Sequence, residues 1–157
     1  MGTFVLIPGS LTQISAGSRT NVWGVNSAGA IVRYTGADTN PFLQISGELT
    51  NISAAADGTV WGVNSAGQIF RYVGDESSTE VFRLIPGSLT RISAGSRTNV
   101  WGVNSDGAIV RYTGDDANPF LQIPGVLSNI SAAADGTVWG VNPAGQILRY
   151  EEGTQPG

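Results

Sequence analysis

The chain reads as an all-β propeller built from four small four-stranded blades, and three observations predict it. The string Val-Trp-Gly-Val-Asn occurs four times, at Trp23, Trp61, Trp101 and Trp139, so its spacing is nearly even. Each occurrence follows Ile-Ser-Ala and precedes Ile-x-Arg-Tyr, so a whole unit recurs and not a single motif. Short β-branched and aromatic runs alternate with Gly turns, and no stretch carries helical periodicity. A period of about 40 residues made of strands is the signature of propeller blades.

The elements follow in order. Repeats over 4–41, 42–81, 82–119 and 120–151 make a single domain, 3–151, with 152–157 as a tail. Thr3–Ile7 and Pro41–Ile45 read as outer strands ended by Pro-Gly or Ser-Gly, and Leu11–Ala16 reads as an inner strand. Val22–Asn26 and Ala30–Tyr34 flank Ser27-Ala28-Gly29, a three-residue hairpin loop with Gly in the left-handed position. That loop sets Trp23 opposite Arg33, Gly24 opposite Val32 and Val25 opposite Ile31. Opposed residues share a sheet face, so one face shows Trp23, Val25, Ile31 and Arg33, and the other Val22, Gly24, Val32 and Tyr34. Both faces are apolar, as a sheet packed between two sheets requires.

The repeats come in two alternating kinds. Residues 4–40 match 82–118 at all but five positions, and 42–73 match 120–151 at all but six. Odd units read Ile-Ser-Ala-Gly-Ser-Arg-Thr-Asn from Ile14 and Ile92; even units read Ile-Ser-Ala-Ala-Ala-Asp-Gly-Thr from Ile52 and Ile130. A pair of blades has been doubled, so that the pattern opening at Phe4 opens again at Phe82. The chain starts on an outer strand and ends after a third strand, Gln146–Tyr150. The N-terminal outer strand is therefore expected to complete a C-terminal blade. That blade is either its own, giving a four-bladed monomer, or a second copy's, giving a homodimeric eight-bladed ring. The ring is favoured, because an open half-ring exposes an unpaired edge and apolar faces.

Composition narrows the chemistry. The 157 residues contain no Cys, His or Lys, and all eight basic residues are Arg. Thiolate, imidazole and Schiff-base chemistry are thereby excluded, as are His- or Cys-ligated metals. Neither a cofactor nor a metal site is expected. The net charge of −4 argues against nucleic acid. No apolar run reaches the length of a membrane span, and Met1-Gly2-Thr3 does not open a signal peptide, so a soluble chain is expected. The adjacent carboxylates Asp115-Asp116 and Glu151-Glu152 lack the facing geometry of a glycosidase pair and read as solvated loops. No enzymatic activity is expected. The Asn-x-Ser sequons at Asn51 and Asn129 fall in inner strands and read as chance matches.

Val-Trp-Gly-Val-Asn-Ser-x-Gly-x-Ile-x-Arg, preceded by Ile-Pro-Gly-x-Leu-x-x-Ile-Ser, resembles the tectonin β-propeller repeat over residues 3–151. The resemblance implies the fold first and, because tectonin-type proteins include lectins, glycan binding second; it offers no catalytic motif. The pairs Trp23/Arg33, Trp61/Arg71, Trp101/Arg111 and Trp139/Arg149 recur in every blade and read as inter-blade packing through cation–π contact. Candidate ligand residues lie on the odd-blade loops: Arg19, Asn21 and Asn40, with counterparts Arg97, Asn99 and Asn118. The functional expectation is a multivalent lectin. A ligand-free, self-assembling repeat scaffold is the alternative, and an enzyme a distant third.

Overall fold

A computed structural model describes residues 2–74 and 81–152. Four antiparallel sheets follow one another along the chain. The first is β1 (Gln13–Ser18), β2 (Asn21–Val25), β3 (Ala30–Tyr34) and β4 (Phe42–Glu48). The second is β5 (Asn51–Ala54), β6 (Val60–Val63), β7 (Ile69–Tyr72) and β8 (Phe82–Ile85). The third is β9 (Arg91–Ser96), β10 (Asn99–Val103), β11 (Ala108–Tyr112) and β12 (Phe120–Val126). Among the described residues the last has three strands, β13 (Asn129–Ala132), β14 (Val138–Val141) and β15 (Ile147–Arg149). Inner strands pack in the order β1, β5, β9, β13. This is a four-bladed propeller, without helices among the described residues.

The motif residues each have a local task. The Asn that closes Val-Trp-Gly-Val-Asn caps the hairpin: Asn26 Oδ1 accepts the N–H groups of Ala28 at 2.9 Å and Ala30 at 3.0 Å. Gly29 takes the left-handed turn position with φ of 84°. The hairpin register is Trp23 opposite Arg33 and Val25 opposite Ile31, as the loop length predicts. Neighbouring inner strands belong to different sheets, so their edge groups need another partner. The Ser of Ile-Ser-Ala supplies one: Ser15, Ser53 and Ser93 Oγ accept the N–H of Ala54, Ala94 and Ala132 on the next blade at 2.8–2.9 Å.

The core is a series of seams between blades. Three of the four Trp residues pack against the Tyr of the next blade, Trp23 on Tyr72 and Trp61 on Tyr112 edge-on and Trp101 on Tyr150 tilted, with ring centroids 4.7–4.8 Å apart. Those three indoles are at most 2 % exposed. Burying an aromatic ring this way is worth about 2–3 kcal/mol in apolar transfer.

The ends bear on one of the two closures expected, the one within a single chain. Among the described residues Thr3–Ile7 forms no strand and the last blade shows no fourth strand, so within a single chain the N-terminal segment does not complete a blade. The reason is distance along the ring: β13 packs on β9 and makes no comparable contact with β1.

Candidate functional site

The alternation of odd and even units creates two kinds of seam. The first and third blades carry a bulge at Gly17 and Gly95, where the β1–β2 and β9–β10 registers shift. At Gly95 a Cβ would lie 2.1 Å from the Ala133 carbonyl oxygen, and at Gly17 the same distance from that of Ala55. Only glycine lets the odd blade approach the even one this closely. The approach is fixed by Asn21 and Asn99. Their Nδ2 atoms donate to the carbonyls of Ala55 and Ala133 at 2.8 Å, while their Oδ1 atoms accept the indole N–H of Trp23 at 2.9 Å and Trp101 at 2.8 Å.

The even-to-odd seam, between the second and third blades, is closed by charge. Arg71 forks onto Asp116 with two bonds of 2.8 Å and also donates to the Tyr112 hydroxyl at 2.9 Å. Tyr112 itself donates a short bond to Asp116. The guanidinium lies 5.5 Å from the Trp61 ring, so one Arg serves an ion pair and a cation–π contact together. Hydrogen bonding from Arg71 is the largest influence on Asp116. With the Tyr112 bond and the nearby positive charge it outweighs desolvation and holds the carboxyl at about 2. Burial and the bond to Asp116 raise the Tyr112 phenol. The sequence pattern makes Asp116 a solvated loop residue; the structure makes it a structural anion, because the loop after β11 folds over the neighbouring blade. The usable signal in the sequence is its recurrence as Asp38, four positions after a Tyr in both odd units.

The odd-to-even seam between the third and fourth blades keeps a hollow beside the Asn99 contacts. A hollow of about 290 Å³ lies there, lined by Thr98, Asn99, Trp101, Arg111, Asp135 and Tyr150 among others. Arg111 reaches Glu152 at 3.2 Å and stands 5.8 Å from the Trp101 ring. Backbone and hydroxyl hydrogen bonds at Thr137 hold the exposed Asp135 carboxyl below the usual range. Donors, acceptors and the half-buried Tyr150 ring therefore converge on one concavity.

The candidate ligand residues are divided among these places. Asn99 lines the hollow, but both of its side-chain polar atoms already serve the seam, and Asn21 is engaged in the same way. Arg97 lines a neighbouring hollow of about 300 Å³ with Arg111 and Tyr112. Its backbone N–H donates to Asp57 Oδ2 at 2.9 Å. Burial works to raise the Asp57 carboxyl, and its hydrogen bonds from Thr59 and Arg97 bring it below the usual value. Arg19 is exposed on the matching turn of the first blade. Asn40 and Asn118 are exposed; their backbones close the β3–β4 and β11–β12 loops, accepting from the Thr35 and Thr113 hydroxyls. Arg111, Asp135 and Tyr150 are not legible as ligand residues from the sequence, because a hollow shared by two blades has no signature along the chain. Among the described residues no cluster of carboxylates suited to a metal is present, and no helix is long and apolar enough to cross a membrane.

Repeated four-stranded sheets packed face to face through Trp–Tyr seams define a β-propeller repeat protein. The chain belongs to the tectonin family: the Tectonin domain model matches residues 1–120. No curated protein is similar enough in sequence to count as a relative. Among solved structures it is similar to YCF48 from Cyanidioschyzon merolae, at 16% identity and a TM-score of 0.70, covering 92% of this chain and 52% of that one. YCF48 bound to D1 peptide is similar at 18% identity and a TM-score of 0.63, with 96% and 55% covered. The computationally designed Ika4 protein matches at 22% identity and a TM-score of 0.61, covering 98% of this chain and 100% of that one. The chain thus spans about half the length of the YCF48 chains, and these likenesses establish the fold.

Proposed function

We propose that this tectonin propeller is a non-catalytic binding module that takes glycans on the seams between odd and even blades. The observation that supports it is the open hollow between the third and fourth blades. A sugar offers hydroxyls that both donate and accept, together with an apolar ring face. Arg111 as donor, Asp135 as acceptor and the half-buried Tyr150 ring meet those needs. The family resemblance points the same way. Repetition would then supply strength, since several weak sites on one rigid body gain avidity toward a repeating surface.

The test is a glycan array on the intact protein, followed by Asp135→Ala and by Arg19→Ala with Arg97→Ala. The reading expects binding that Asp135→Ala abolishes and that the double arginine variant weakens. Absence of binding to every glycan would favour the second reading, a self-assembling scaffold without a ligand. That reading is supported by a separate observation: the two ends of the propeller are open and carry the same residues that the inner seams bury.

A further inference from the structure

We infer that the working propeller is a closed ring of two copies, in which Phe4–Ile7 of each copy forms the missing fourth strand of the other's last blade.

The chain contains its own template for this junction. The seam between the second and third blades has an equivalent, displaced by one blade pair, that would join the fourth blade of one copy to the first blade of another. On the outgoing side Trp61, Arg71 and Ser53 become Trp139, Arg149 and Ser131. On the incoming side Tyr112, Phe120, Asp116 and Ala94 become Tyr34, Phe42, Asp38 and Ala16. Every one of these pairs is chemically identical, so the ring contacts, the forked ion pair and the Ser–Ala hydrogen bond of the inner seam all have their partners at the two ends, while Arg83, 4.0 Å from Asp116, is replaced by Val5.

The same residues are covered inside and uncovered at the ends. Trp61 is fully buried whereas Trp139 is 45% exposed; Ile92 is 5% exposed whereas Ile14 is 58% exposed. Arg71 forks onto Asp116. Its counterpart Arg149 reaches the exposed Glu151 at 3.3 Å, while Tyr34 donates to Asp38 at 2.5 Å in the arrangement Tyr112 and Asp116 use to receive Arg71. Cation and anion thus stand ready on opposite ends.

The missing strand has the same matched form. In the second blade β8 pairs with β7, setting Phe82 opposite Tyr72, Leu84 opposite Phe70 and Ile85 opposite Ile69. The equivalent pairing sets Phe4 opposite Tyr150, Leu6 opposite Leu148 and Ile7 opposite Ile147. Phe4 and Leu6 are fully exposed, as Ile147 is largely. The apolar hollow formed by Ile31, Gly47, Leu49 and Phe70 is walled by Val81 and Phe82. Its equivalent, formed by Ile109, Gly125, Leu127 and Leu148, has no such wall. The residues that would supply it are Thr3 and Phe4. Chain continuity carries β8 onto one blade and β9 onto the next, so the N-terminal segment belongs on whatever blade precedes the first. Two copies make eight blades, within the usual range for propellers, whereas three would make twelve.

The test is native mass spectrometry or light scattering at micromolar concentration, with cross-linking in a chain that has no other cysteine. The native particle is expected at twice the 16.3 kDa chain mass. Leu6→Cys with Leu148→Cys, oxidised under native conditions, is expected to give a covalent dimer on a denaturing gel. Arg149→Asp should weaken association by at least about tenfold, and adding Asp38→Arg should restore it, with circular dichroism confirming the fold throughout. A monomeric native mass, a cross-link confined within one chain, or a native mass of three copies would each overturn the inference. No glycan enters these measurements, so their outcome is separate from that of the lectin reading.

Discussion

Replacing Gly95 by Ala tests how the blades are held together. Gly95 sits at the bulge of the third blade, and a methyl group there would lie 2.1 Å from the Ala133 oxygen and 2.3 Å from its carbon. Both atoms are backbone of another blade, so no rotamer relieves the clash. The seam must open by at least about 1.3 Å to reach ordinary contact, and over-packing of that kind costs about 1–3 kcal/mol. Opening also stretches the bond from Asn99 to the Ala133 carbonyl, worth about 1 kcal/mol more. The expected loss is therefore about 2–4 kcal/mol. The assay is urea unfolding followed by tryptophan fluorescence at one fixed protein concentration, since association would shift the midpoint. Gly114→Ala is the control: its φ is +92° and it has open space around it, so it carries only the left-handed penalty of about 1–2 kcal/mol. If Gly95→Ala costs no more than Gly114→Ala, close approach is not what the glycine provides. Gly17→Ala should behave like Gly95→Ala, and the double variant should be nearly additive because the two seams are separate.

Three further predictions follow from the same seams. Asn99→Ala should cost about 1–3 kcal/mol by stranding the buried Trp101 indole N–H, read in the same unfolding experiment, whereas Asn118→Ala should be close to neutral. Trp61 lacks the acceptor that Asn21 and Asn99 give to their indoles, because Thr59 stands at that position, and its N–H is buried without a partner. Thr59→Asn should raise stability by about 1 kcal/mol, and an unchanged or lowered midpoint would refute that reading. Asp116 has a folded pKa near 2, below the 3.8 of a free carboxyl, so its contribution is complete above pH 4 and lost as pH falls through 2. The carboxylate is a third exposed, which limits the contribution to about 1 kcal/mol after screening. Asp116→Asn should remove that amount at pH 7 and flatten the acid limb of stability between pH 4 and 2.

Local structure is readable in this sequence because it depends on neighbours along the chain. The Asn26–Ala30 loop length fixes the hairpin register, and Gly29 at positive φ and the Asn26 cap follow from three consecutive turn residues. The apolar character of both sheet faces likewise points to stacked blades. The inner strand is less legible: the pattern places it at Leu11–Ala16 and the structure at Gln13–Ser18, because the bulge at Gly17 carries the strand further toward the turn. Residues with the same sequence signature also divide by position. Asn21 and Asn99, ligand candidates for their place on exposed turns, face a carbonyl of the adjacent blade, and adjacency between blades is not written in either strand.

The sequence by itself determined the repeat, its doubling, the hairpin register and the absence of Cys, His and Lys, since each is a matter of residue identity and short-range spacing. The tertiary structure decided how each seam is held and where it leaves a hollow. An Arg–Asp–Tyr cluster seals the even-to-odd seam, and a polar hollow occupies the odd-to-even seam between the third and fourth blades. It also decided that identical residues fare differently. Trp61 and Trp139 sit in the same Val-Trp-Gly-Val-Asn string, yet one is enclosed and the other meets solvent. Burial depends on the next blade, and among the described residues the last one has a neighbour on the side of the third blade alone.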